Sequence, residues 1–198
     1  MTNKENLTSE TEYFIERTLH RLKNNLQTQM GLLQIQEATQ RNYFNEKKVI
    51  TDRMFALTLA YDSYHSNVKS DQSTEPQLPL QQFLSQFTQH LNVSEHTTQF
   101  KVSEIDEHAM KLNDILVLAY FIIEFVDFSL LLERKLQIDY NILNKNINLT
   151  FSFKDLTNYS DFKYKYESKF KIINILKSQL KATLEISKTS INLLIPIQ

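Results

Sequence analysis

The sequence predicts an α+β fold: an N-terminal helical hairpin over residues 1–70 that dimerises into a four-helix bundle, followed over 71–198 by an α/β sandwich. Three observations predict it. In the first third, apolar residues recur in steps of three and four, the spacing of one helix face. A Ser/Asp/Gln/Pro-rich stretch, Ser66 to Pro79, then breaks the pattern and reads as a linker. Beyond it, alternating runs and helical runs are mixed, as in a largely antiparallel sheet covered by helices.

The first helix spans Glu12 to about Glu37, with its apolar face at Ile15, Leu19, Leu22, Leu26, Met30 and Leu33; Thr8 or Ser9 can cap it. A second face runs through Tyr43, Ile50, Met54, Leu57, Tyr61 and Tyr64, with a short turn near Thr39 between the two helices. One stripe per helix leaves the hairpin half covered, and pairing two hairpins buries it, so a homodimer is expected. Pro79 to Leu91 is a short amphipathic helix, Thr97 to Ile105 alternates like a strand, and Lys111 to about Glu133 is a long apolar helix. Leu136 to Leu143 and Ile147 to Phe153 alternate on either side of Asn144-Lys145-Asn146 and form a hairpin. Tyr166 to Leu180 returns to helical spacing. Ala182 to Ser187 and Ser190 to Pro196 make a second hairpin, turning at Lys188-Thr189.

Composition removes several functions. The 22 basic and 23 acidic side chains nearly cancel, and no segment gathers enough Lys or Arg to track a nucleic-acid backbone, so no nucleic-acid partner is expected. Without cysteine there is no disulfide, thiolate metal site or cysteine nucleophile. His20, His65, His90, His96 and His108 are too scattered for a metal cluster. Gly31 is the only glycine, and loops that wrap nucleotide phosphates need several. The polar start, Met1 to Asn6, lacks the apolar segment of a secretory signal, which predicts a cytoplasmic protein. Ile115 to Leu132 (ILVLAYFIIEFVDFSLLL) has the length of a membrane span, but it carries Glu124 and Asp127. Each acidic residue near the centre of a span costs about 2.5–3.5 kcal/mol on insertion scales, so a buried core helix is expected and no membrane insertion.

His20 follows Leu19 on the first helix, which places its imidazole on the flank of the apolar face, accessible to a reactant. Around it stand Arg21, Lys23, Asn24, Asn25, Leu26 and Gln27. This block resembles the phosphoacceptor helix of histidine kinases with the motif H-R-x-K-N-N-L-Q, and it matches at every specified position. The segment from Arg53 to His65 is similar to the second helix of their hairpin. The resemblance implies that His20 is a phosphoacceptor. An imidazole nitrogen is a good nucleophile near neutral pH, and phosphoryl transfer asks mainly for positioning and charge stabilisation. Arg21, Lys23 and Asn24 are the donors expected to touch the phosphoryl group or an attacking aspartate; Asn24 lies one turn after His20 on the same face. The other histidines receive no role: His65 ends the second helix, and His90, His96 and His108 fall in segments expected at the surface.

The second half resembles the ATPase domain of the same kinases and departs from it where nucleotide binds. The family's E-L-V-x-N-A-x-K-H helix, whose asparagine binds magnesium, corresponds to the run from Glu124 to Leu132. Phe128 stands at the asparagine, and Leu131-Leu132 replace the Lys-His pair. An apolar side chain cannot ligate Mg²⁺, which takes oxygen donors. The segment from Lys181 to Ser187 resembles the closing G-G-x-[LI]-x-[LIV]-x-S pattern at Leu184 and Ile186, with Lys181 and Ala182 at the two glycines. The resemblance therefore implies a degenerate ATPase-like domain without ATP-binding motifs.

A kinase-like dimer without an ATP site is similar to the histidine phosphotransferases of the ChpT class. That implies a relay between receiver-domain aspartates through phosphohistidine, with response-regulator receivers and a hybrid histidine kinase as partners. It implies no cofactor of its own, Mg²⁺ belonging to the receiver. A second reading stays open, in which the dimer binds and sequesters a response regulator or partner kinase and His20 is vestigial. The enzyme class expected is a phosphotransferase, not an ATP-dependent kinase.

Overall fold

Steps of three and four at the front of the chain produce helices, and behind them runs with steps of two alternate with further helical runs to give strands and helices mixed. The computed structural model describes residues 20, 22–32, 46–67, 77–94, 98–102, 108–143, 146–154, 167–187 and 190–197. The chain divides into two compact units, Met1–Arg41 and Asn42–Gln198. In the first, residue 20 and residues 22–32 are helical (α1). The second runs α2 (Glu46–Asn67), β1 (Gln77–Pro79), α3 (Leu80–Ser94), β2 (Thr98–Val102), β3 (Ala109–Lys111), α4 (Leu112–Leu131), β4 (Leu136–Leu143), β5 (Asn146–Phe153), α5 (Glu167–Gln179), β6 (Thr183–Ile186) and β7 (Ile191–Pro196).

The main sheet has the order β2-β4-β5-β7-β6; β2 pairs parallel to β4, and the remaining neighbours are antiparallel. Alternation assigns its faces. Leu136, Ile138 and Tyr140, then Ile147, Leu149, Phe151 and Phe153, then Ile191, Leu193 and Ile195 are all buried, while the residues between them are half-buried or exposed. Cross-strand partners such as Ile138 with Phe151 and Leu149 with Leu193 place apolar side chains opposite one another.

Helix α4 lies at the centre of this unit. Phe121 and Phe125 on it meet Phe151 of the sheet at ring-centroid distances of 5.7 and 4.2 Å. Phe128 meets Phe153 edge-on at 5.8 Å and Phe170 of α5 at 6.3 Å. Each buried aromatic ring contributes on the order of 2–3 kcal/mol by area alone. The long apolar helix is thus a core helix of the α/β unit, as expected from Glu124 and Asp127. Among the described residues no helix is long and apolar enough to cross a membrane.

Both α4 and α5 end without glycine. After α4 the Glu133 amide donates to the Leu130 carbonyl and the Arg134 amide to that of Ser129, with Glu133 at φ 51°. After α5 Lys181 repeats the arrangement at φ 52°, its amide donating to Ser178 and that of Ala182 to Lys177. These are Schellman closures, whose left-handed position glycine usually fills.

Three sequence expectations change. Gln77–Pro79, expected within a linker, forms β1, which pairs antiparallel with β3, Leu78 opposite Met110. Three residues are too few to show a period of two, and Pro79 stands at the strand's last position, where a missing amide does little harm. The face expected to be the core stripe of α2 is covered only in part: Leu57 is buried, whereas Ile50 and Met54 are 38% and 44% exposed. The covered face also takes in Val49, Arg53, Ala56 and Ala60, because two alanines let α2 approach closely and Arg53 finds an acid there. The third is the surface placement of His90, treated below with its partners. The unit Asn42–Gln198 includes α2 together with the α/β elements. The proposed caps Thr8 and Ser9, the turn near Thr39 and the loop Lys188-Thr189 lie outside the described residues, as do His96 and the segment 155–166.

Candidate functional site

On α1 the imidazole of His20 is exposed, and the side-chain amide of Asn24 lies against it, Nδ2 standing 3.3 Å from the ring Nδ1. The i, i+4 spacing makes this contact possible, since one helical turn returns side chains to the same face. Asn24 is itself held in a regular turn, its carbonyl accepting the Thr28 hydroxyl at 3.1 Å. Lys23 is exposed on the same helix, and Arg21 lies outside the described residues. The structure therefore brings together two of the sequence candidates, His20 and Asn24. Leu26 and Met30, 39% and 60% exposed, continue along the helix as apolar positions.

A second polar cluster, in the α/β unit, was not anticipated. Arg53 of α2 forms an ion pair with Glu124 of α4, both essentially without solvent access. The adjacent Asp52 receives Lys48 Nζ at 2.6 Å on one carboxylate oxygen and stands 3.0 Å from His90 Nε2 on the other. The His90 ring stacks on Phe55 with centroids 3.7 Å apart. His90 was expected in a surface segment without a role. It is half-buried and joins α3 to α2, because Asp52 offers an acceptor and Phe55 a flat apolar surface. The sequence held a signal for the first pair: a carboxylate inside an apolar run needs a cation, and Arg53 was the one near the middle of a neighbouring helix.

The position that resembles the kinases' magnesium-binding asparagine is now fixed in space. Phe128 is buried between the sheet and α5, and Glu124, four residues before it, is committed to Arg53. A phenyl ring supplies no oxygen, and a carboxylate already paired with a guanidinium is a poor magnesium ligand. At this position the described side chains do not suit a magnesium ion.

Together the helices and the five-stranded sheet define a histidine-kinase-like α+β fold. The chain is similar in structure to the histidine kinase domain of the blue-light activated histidine kinase EL346 from Erythrobacter litoralis. The TM-score is 0.60 at 15% identity, over 76% of this chain and 75% of that one. A longer form of the same Erythrobacter litoralis kinase gives 0.54 at 15% identity, over 73% of this chain and 47% of that one. No protein-family model and no curated protein matches the sequence.

Proposed function

We propose that this chain is a histidine phosphotransfer protein of the ChpT class, in which His20 carries a phosphoryl group between receiver-domain aspartates of a two-component phosphorelay. The observation that carries the reading is His20 itself, exposed on a helix inside a fully matched H-R-x-K-N-N-L-Q block, with Asn24 at its ring. The kinase-like fold of the second unit supports it, as does Phe128 in the core, which turns the source of the phosphoryl group from ATP to another protein. Arg21 and Lys23 bring positive charge to a transition state whose negative charge is spread over three phosphoryl oxygens. Mg²⁺ belongs to the incoming receiver, and a homodimer in the cytoplasm is the assembly this reading uses.

The test is a transfer assay. A receiver domain carrying radiolabelled aspartyl phosphate is mixed with the wild-type chain and with His20→Ala. Label on the wild type alone supports the relay. An unlabelled wild type that still binds the receiver overturns it and supports sequestration of a response regulator instead.

A further inference from the structure

On the reading of His20 as phosphoacceptor, we propose that Asn24 is its positioning residue: the amide occupies Nδ1 and makes Nε2 the nitrogen that bonds to phosphorus. The geometric ground is the 3.3 Å approach of the Asn24 amide to Nδ1. Chemistry narrows the choice of partner. Arg21 and Lys23 carry donors only and cannot receive a proton from Nδ1, whereas a side-chain amide offers both a donor and an acceptor.

That dual character sets the ring's two neutral forms. With Nδ2 toward the ring, the amide donates to an unprotonated Nδ1, and the ring proton sits on Nε2. Turning the amide by half a revolution presents Oδ1, which accepts from Nδ1–H and leaves the lone pair on Nε2. The second form is the nucleophile. The Nε2 lone pair attacks phosphorus of the aspartyl phosphate, the P–O bond to the aspartate breaks, and its electron pair leaves with the carboxylate. The product is an Nε2-phosphoimidazolium whose proton stays on Nδ1, hydrogen-bonded to Asn24 Oδ1. In the onward step a second carboxylate attacks phosphorus, the N–P electrons return to Nε2, and the ring is again neutral with its proton on Nδ1. No base is consumed in either direction. Asn24 acts through His20 and need not touch the phosphoryl group.

The experiment uses the full chain with ¹⁵N-labelled histidine, at a pH where the ring is neutral. Long-range proton–nitrogen correlation reads the His20 tautomer in wild type, Asn24→Ala and Asn24→Asp, with His20→Gln assigning the signals. Each protein is then treated with phosphoramidate, whose P–N bond breaks with loss of ammonia, and the phosphohistidine isomer is identified by NMR. The wild type is expected to carry phosphorus on Nε2 alone. Asn24→Asp is expected to raise the Nδ1–H share severalfold. Asn24→Ala is expected to lower that share and to slow labelling at Nε2 severalfold or mix the isomers. One tautomer ratio common to all three proteins, or wild-type phosphorylation on Nδ1, overturns the proposal. Tautomer shifts as expected, without transfer from a labelled receiver, would leave Asn24 as the positioning residue and refute the relay, so the two readings fail separately.

Discussion

Arg53 of α2 and Glu124 of α4 form an ion pair buried at the centre of the Asn42–Gln198 unit, one step along the helix from the pairing of Asp52 with His90. Through these adjacent residues α2 is tied to α4 and to α3 at once. In a low-dielectric interior each ion costs several kcal/mol to desolvate, and the pair recovers this only while both partners are present. The contact therefore fixes where α2 sits more than it adds to total stability.

Removing one partner should thus be far worse than removing both. Arg53→Met alone strands a buried carboxylate and is expected to cost about 3–5 kcal/mol, whereas Arg53→Met with Glu124→Leu should lie within about 1–2 kcal/mol of wild type. Denaturant unfolding of the two singles and the double completes the cycle. A double variant as unstable as the sum of the singles would show that the two side chains act independently.

The left-handed closure at Lys181 gives a prediction of opposite sign. A residue with a Cβ at φ 52° is strained by about 1–2 kcal/mol relative to glycine, part of which glycine returns as unfolded-state entropy. Lys181→Gly is expected to stabilise the protein by about 0.5–1 kcal/mol, read as a higher denaturation midpoint with unchanged slope. A substitution with no gain would mean that the turn relaxes around lysine.

Burial on β4 holds the Tyr140 hydroxyl protonated well above its usual value near 10. The unfolded chain loses this proton from about pH 10, while the folded chain keeps it. The associated stability is complete below the unfolded value and declines as pH rises toward the folded one, by about 1.4 kcal/mol per unit. Tyr140→Phe should flatten this alkaline limb between about pH 10 and 11.5 while leaving the shape of the neutral limb unchanged. Stability curves for the two proteins that stay parallel throughout would exclude Tyr140 as the group responsible.

Periodicity made most of the fold legible. Both β-hairpins and helices α3, α4 and α5 stand close to where spacing put them, since each is long enough to repeat its pattern. The β1–β3 pair escaped because three residues carry no period; β2 stands where alternation put it, but its parallel pairing with β4 depends on the crossover through α4 rather than on the strand itself. At the site, the proximity of His20 and Asn24 followed from helical geometry alone. Asp52, Arg53, His90 and Glu124 did not, because their contacts join residues 38 and 71 positions apart, and no local pattern encodes such pairings.

Part of the apolar stripe expected to be covered on α2 stays exposed. The helix's covered stripe packs inside the unit, and Ile50 and Met54, one turn apart, remain 38% and 44% exposed. Two large apolar side chains in register on an exposed helix face gain by burial in a partner surface, each worth about 1–2 kcal/mol at this degree of exposure. If the homodimer uses this face, Met54→Glu should convert it to a monomer at micromolar concentration in size-exclusion chromatography with light scattering. Because Met54 projects from the covered core, its melting temperature measured on the monomer should change little, as for other exposed substitutions of within about 0.5 kcal/mol. A dimer that survives Ile50→Glu and Met54→Glu together would move the interface elsewhere, and a wild type that is monomeric at high concentration would remove the homodimer from the reading altogether.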